Sequence, residues 1–350
     1  MWQGLLGHDD VADRFRAAVR RNRLASTYLF VGPAGIGKKR FALALAKAML
    51  CQQTAADPLE PCCHCESCRL FAAGSHPDLD VVGLPKDKSN LPIDLFLGDK
   101  EHRNQDGLCH RIALRPFLGG RKVAIIDDAD HFNDASANCL LKTLEEPPPR
   151  SLMILIGTTP SKQLPTIRSR SQVVRFQPLP VDTIAQILID TGAVTDAEQS
   201  VRLASYGEGS IERALQLADP ALWQFRAQLL SDLTSAEPNP VRLAKAIQAF
   251  VDEAGKEATE RRDRLRTIVA FVEELNRALL RTEVHGDVGG DDLLRSTVAK
   301  AQKNLPPGRA LGALDASLRA LEHIDRNANL GLVIQRWCEE IVPARVSIGA

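Results

Sequence analysis

Leu29-Phe30-Val31-Gly32-Pro33-Ala34-Gly35-Ile36-Gly37-Lys38-Lys39-Arg40 runs from apolar residues through a glycine-punctuated turn into a basic pair. Phe41-Ala42-Leu43-Ala44-Leu45-Ala46 follows and reads as a helix. The order is strand, phosphate loop, helix, with Gly32 and Gly37-Lys38 at the ends of a G-x-x-x-x-G-K pattern. Glycines, Gly35 among them, let successive N–H groups converge on a phosphate, and the helix adds its positive end. Lys38 would neutralise the outer phosphates of a bound nucleotide. The next position ordinarily carries Ser or Thr, whose hydroxyl holds Mg²⁺; here it is Lys39. A glycine turn kept for backbone geometry alone is the rival reading of this stretch.

Outward from this loop, the same alternation continues. Upstream, Val11 to Arg23 has the spacing of a basic amphipathic helix with Val11, Phe15, Ala18 and Val19 on one face. Downstream, a helix should run from Lys38 to about Leu50. Leu79–Val82, Lys122–Ile126, Leu152–Ile156 and Val173–Phe176 read as strands that join Tyr28–Val31. Strands alternating with helices predict an α/β fold, a parallel sheet covered on both faces. Pro85 to Gly107, with Lys86, Asp87, Lys88, Asp99, Lys100 and Glu101, reads as a polar surface insertion. Beyond Pro178-Leu179-Pro180 everything to Ala350 has helical spacing. Leu265, Ile268, Val272, Leu275 and Leu279 form one stripe, Leu311, Leu314, Leu318 and Leu321 a second, and Leu330, Val333, Ile334, Trp337 and Ile341 a third. Internal core is the expected fate of each stripe.

Composition narrows the classes of function. Lys+Arg and Asp+Glu balance at 44 each, so no global field drives the chain onto nucleic acid or a membrane. No apolar run approaches the ~20 residues that a membrane span needs. The segment from Met1 to Asp10 lacks a basic region followed by an apolar core, which points to a cytoplasmic protein. In that reducing setting cysteines clustered in a tight turn suggest metal rather than disulfides.

Cys62-x-x-Cys65-x-x-Cys68 places three thiols around one turn, and Cys51, at the end of the preceding helix, can supply a fourth. Four thiolates suit tetrahedral Zn²⁺ in a closed structural site. Cys63 and His64 lie in the same knuckle with poorer spacing, and an iron–sulfur centre is the rival chemistry. At the end of the Lys122 strand, Asp127 is placed to hold Mg²⁺. The following position is usually Glu, which orients the attacking water, and Asp128 is one methylene shorter. Both acids could instead cap the next helix. Thr158, after the Leu152 strand, joins the nucleotide-binding candidates. Thr166-Ile167-Arg168-Ser169-Arg170-Ser171 puts arginines on the rim of the sheet, where one could reach a nucleotide in its own chain or in a neighbour's. A solvated basic turn is the alternative there.

Taken in order, the phosphate loop, the cysteine knuckle, IIDDAD, NCLLKTLEEPPP and LPTIRSRS resemble the clamp-loader subunits of bacterial DNA polymerase III, in the AAA+ superfamily. The motif-bearing resemblance covers about Leu6 to Phe176, with Gly7 and His8 where the family's adenine pocket begins. It implies an AAA+ domain over 1–178 with a zinc module at 51–68, a helical lid over 179–219 and a helical collar over 220–350 that mediates oligomerisation. Two subunit types share this layout. The ATP-hydrolysing gamma/tau motor carries Thr after the loop lysine, an Asp-Glu pair and a lid arginine; this chain has Lys39, Asp127-Asp128 and Glu212. Arg213 lies one position on, about 100° around the helix. Those positions, with Ser75-His76-Pro77-Asp78, resemble the delta-prime type. That type implies a five-subunit ring with gamma/tau and delta, which opens the sliding clamp and loads it on primer-template DNA. Ser169-Arg170-Ser171 stands where the family's Ser-Arg-Cys motif supplies an arginine finger to the adjacent ATP site, which makes Arg170 the catalytic candidate, acting in trans. Little or no ATPase activity of the chain's own is the matching expectation. A gamma/tau-type motor and a zinc-knuckle nucleic-acid-binding protein are the alternatives; neutral charge and 5% aromatic content speak against the latter.

Overall fold

A computed structural model describes residues 2–53, 57–85, 88–103, 105–285, 290–304 and 308–342. The chain forms two compact units, Met1–Ala218 and Asp219–Ala350.

The first unit is built on five parallel strands: β1 (Thr27–Val31), β2 (Leu79–Val82), β3 (Lys122–Ile126), β4 (Ser151–Ile156) and β5 (Gln172–Arg175). They lie in the order β2-β3-β4-β1-β5, with β1 parallel to both β4 and β5, as the alternation of elements predicts. Every residue of β1, β3 and β4 is buried, which explains why these segments read as continuous apolar runs without alternation. The pleat still divides them. Tyr28 and Phe30 face a core shared with Phe15 of α1 (Asp9–Arg20) and Phe41 of α2 (Lys38–Leu50). Leu29 and Val31 face the opposite core, shared with Ala124, Ile126 and Leu155.

Helices α3 (Glu66–Ala72), α4 (Asp94–Leu97), α5 (Leu108–Ala113), α6 (Asp134–Glu145) and α7 (Pro165–Ser169) fill the connections. α1 ends earlier than its charge pattern predicts, because Asn22 adopts φ 51° and turns the chain. Ala18 and Val19 are accordingly only half-buried. The surface insertion expected over Pro85–Gly107 needs correction. Leu91 and Phe96 are fully buried in the second core, and the Phe96 ring lies 5.5 Å from that of Phe132. They belong to the short apolar run Leu91-Pro92-Ile93-Asp94-Leu95-Phe96-Leu97, which the charged residues on either side keep polar on average. Lys86, Asp87 and Asn104 lie outside the described residues. After β5, α8 (Val181–Asp190), α9 (Ala197–Tyr206) and α10 (Ile211–Gln216) form a small helical layer around Ile184, Leu188, Leu203 and Ala214.

The second unit comprises α11 (Pro220–Leu233), α12 (Pro240–Asp252), α13 (Ala258–His285), α14 (Asp292–Asn304), α15 (Arg309–Asp325) and α16 (Leu330–Ile341), with no strand among the described residues. The helical expectation for residues 343–350 lies outside the described residues. On α13, Leu265, Ile268, Val272, Leu275 and Leu279 are all buried as predicted. On α15 the expected stripe fails in part, with Leu314 and Leu321 only half-buried. Leu311 is 68% exposed and Leu318 59%, while Ala310, Ala313, Ser317, Ala320 and Ile324 face inward. Small residues let α15 approach α13 and α16 closely, and Ser317 Oγ accepts a bond from the buried Trp337 Nε1 at 3.2 Å. No helix among the described residues is long and apolar enough to cross a membrane.

Candidate nucleotide and metal sites

The turn between β1 and α2 curls as its glycines allow. Gly35 (φ 70°) and Gly37 (φ 97°) take left-handed conformations, and a Cβ on Gly35 would lie 2.3 Å from Ser210 Oγ. Lys38 is only 7% exposed, and its Nζ donates to the carbonyls of Gly32 (2.7 Å) and Pro33 (2.6 Å). Burial lowers the Lys38 pKa, against the opposing pull of Asp130, Asp127, Glu212 and Asp128. Lys39 extends from the first turn of α2, and its Nζ forms an ion pair with Asp127 Oδ2 at 3.0 Å. The structure thus brings both loop lysines and the strand-end acid together.

Asp128 follows in a left-handed conformation (φ 56°), and its Oδ2 accepts a bond from Leu84 N at 3.2 Å. Burial, then the neighbouring Asp127, raises its pKa. Asp130, which sequence reasoning passed over, organises the end of β4. Its carboxylate accepts the N–H of Thr158 (2.9 Å to Oδ2) and the Thr158 hydroxyl. Thr158 therefore spends its side chain on Asp130. The only sequence signal for this role was the last Asp of IIDDAD.

The helical layer closes over the loop. Ile211 N donates to Gly35 O at 3.0 Å, and Glu212 packs against Gly35, its Oε2 3.1 Å from where a Cβ would sit. Arg213 turns to Glu208 in a 2.6 Å ion pair. Beside the loop, Leu5, His8, Ile36, Gly37, Arg40 and Ile211 line a pocket, with His8 Nε2 hydrogen-bonded to Ile36 O at 2.7 Å.

At the other end of α2, Cys51, Cys62, Cys65 and Cys68 converge with all four sulfurs within 4.8 Å of one another. Tetrahedral Zn–S bonds of 2.3 Å put sulfurs about 3.8 Å apart; Cys51–Cys65 is 3.9 Å and Cys62–Cys68 4.0 Å. Backbone N–H groups of Cys62, Cys65 and Cys68 donate to the sulfurs of Cys51, Cys62 and Cys65 at 3.3–3.4 Å, which favours thiolates. Burial pushes the Cys51 and Cys68 thiols up, while at Cys65 it is outweighed by backbone bonds from Cys68 and Gln52 together with bonds from the Cys62 and Cys68 thiols, which bring that thiol to about 6. The group can hold a metal ion. Cys63 is exposed and bonds to Pro61 O, and the His64 ring bonds to Cys62 O, both apart from the cluster. Ser67 braces the turn by donating to Leu50 O at 2.6 Å, and it bonds the buried His76 at 2.8 Å.

Arg170 caps α7 on the rim of the sheet, its side chain 33% exposed. Its guanidinium donates to Thr166 O (3.1 Å) and Ser169 Oγ (3.2 Å), and pairs with Glu145 Oε1 at 2.6 Å. Glu145 belongs to the LEEPPP string and carried no role in the sequence.

Residues 7–180 match the family model described as DNA polymerase III, delta subunit. The chain is 36% identical over 215 residues to DNA polymerase III subunit delta' of Pseudomonas aeruginosa, covering 60% of this chain and 61% of that protein. It is 32% identical over 205 residues to the delta' subunit of Escherichia coli (59% of this chain, 58% of that one). It is also 33% identical over 222 residues to the gamma/tau subunit of Mycobacterium tuberculosis (62% of this chain, 36% of that one). The matched stretches thus span less than two thirds of each relative.

Proposed function

We propose that this chain, which through residues 7–180 belongs to the bacterial DNA polymerase III delta-prime family, is the stator of a clamp-loading ring. Its partners in this reading are gamma/tau and delta in a hetero-pentamer. The ring opens the sliding clamp and loads it on primer-template DNA in the cytoplasm. Residues 1–178 carry the AAA+ machinery, 179–219 the lid and 220–350 the collar. The bound metal is Zn²⁺, with a structural role.

The observation that carries the reading is the Lys39–Asp127 ion pair. It stands where a motor needs a hydroxyl and a carboxylate on Mg²⁺, and Asp128, the candidate for orienting water, is turned to the Leu84 amide. Arg170 sits at the end of α7 on the rim of the sheet, its side chain 33% exposed. In the ring it would leave Glu145 and offer its fixed fork of N–H donors to the oxygens of the neighbour's transferring phosphoryl group. The Cys-to-Ser difference at Ser171 leaves that guanidinium unaltered.

Reconstitution tests this. Arg170→Ala should assemble normally and lose turnover at the adjoining motor site; unchanged turnover would refute the finger. The second reading, a gamma/tau-type motor, is favoured by the intact backbone of Gly32–Lys38. Robust ATP hydrolysis by the isolated chain that disappears in Lys38→Ala would select it instead.

A further inference from the structure

A phosphate loop normally shares one Mg²⁺ between the hydroxyl after its lysine, a strand-end carboxylate and the phosphate oxygens. Mg²⁺ demands near-octahedral oxygen ligands at about 2.0–2.1 Å. The donor set here does not fit that demand. Lys39 brings an ammonium, which has no lone pair, and its Nζ already lies 3.0 Å from Asp127 Oδ2. Asp128 bonds the Leu84 amide, and Asp130 is spent on Thr158 and Gln163. A dication at Asp127 would have to displace the ammonium and then sit against its charge.

We infer that Lys39 takes the place of the divalent cation, so that this loop holds the triphosphate tail of ATP in its metal-free form. The ammonium neutralises Asp127, the task a metal would otherwise perform on that side of the site. Lys38 lies alongside, and the two carbonyl bonds it now makes, to Gly32 and Pro33, are the ones a phosphate oxygen would replace. The left-handed Gly35 and Gly37 keep the amide cradle, which opens onto the N-terminus of the thirteen-residue α2. An ammonium supplies one positive charge rather than two and coordinates no phosphoryl oxygen. The bound triphosphate is accordingly retained and not activated. This inference concerns the same loop as the stator reading but does not depend on the ring or on Arg170, so either can fail alone.

The test is calorimetric titration of the full chain with ATP, once in EDTA and once in excess Mg²⁺. Wild-type should bind in EDTA, and Mg²⁺, by complexing ATP, should leave the affinity equal or weaken it by up to about tenfold. Lys39→Thr should reverse the order, with Mg²⁺ tightening binding by about tenfold or more. Asp127→Asn, which frees Lys39 from its carboxylate, should tighten binding of ATP in EDTA. The inference is overturned if wild-type needs Mg²⁺ to bind, if it binds ATP in neither buffer, if Lys39→Thr keeps the wild-type order, or if Asp127→Asn weakens binding in EDTA.

Discussion

In the phosphate loop Lys38 is bonded to two carbonyls and Lys39, its own side chain 53% exposed, pairs with an Asp127 that is only 18% exposed, whereas on the rim Arg170 pairs with a Glu145 that is 51% exposed. The difference decides which cation can serve a second molecule. An exposed ion pair is worth about 0.2–1 kcal/mol. An arginine finger on a transferring phosphoryl group is worth about 10³–10⁵ in rate, roughly 4–7 kcal/mol. In the proposed ring Glu145 would therefore park Arg170 without keeping it from a neighbour's ATP site. Lys39 faces the opposite balance, because releasing it would leave Asp127 uncompensated beside Asp128 and Asp130.

The contrast can be broken most readily at Arg170. Arg170→Ala should lower turnover at the adjoining motor site by about 10³, measured in a ring whose other sites are inactivated. A loss under about threefold would remove the distinction between rim and loop. Next in size is the far end of α2, where a site of unaltered donors offers a control. Metal analysis should find one zinc per chain, and Cys65→Ser should lose it together with about 3 kcal/mol or more of stability in chemical denaturation. An equally stable metal-free variant would make the cluster incidental. Glu145→Gln should change ring turnover by less than about threefold, since only the parking contact is weakened; a collapse matching Arg170→Ala would make Glu145 part of the working site. Smallest should be the thermodynamic effect of Leu311→Gln with Leu318→Gln, under about 0.5 kcal/mol because both side chains already face outward. If that face belongs to the collar, the same variant should fail to co-elute with its partners, and normal co-elution would exclude it from the collar interface.

The sheet was legible because its three central strands are short, almost wholly apolar and followed by a glycine or an acid, as at Val31-Gly32, Ile126-Asp127 and Ile156-Gly157. The phosphate loop and the cysteine knuckle were legible for a related reason: their donors lie close together in sequence, so spacing alone fixes geometry. What escaped depended on distant partners. Asp130 gained its role only when β4 brought Thr158 beside it, and Glu145 only when α6 met the turn after α7. The direction of α15 escaped because leucine spacing defines a stripe without saying whether the stripe or its alanine-lined opposite is the buried face. Leu91 and Phe96 escaped because the short apolar run Leu91-Pro92-Ile93-Asp94-Leu95-Phe96-Leu97 is flanked on both sides by charged residues.

The central claim is that this chain's chemistry lies with the cation it presents and not with the loop it keeps. Its most direct test is steady-state ATP turnover by the reconstituted ring with Lys38→Ala introduced in this chain alone. Turnover within about twofold of wild-type is the predicted result. A loss of tenfold or more, with assembly intact, would contradict it.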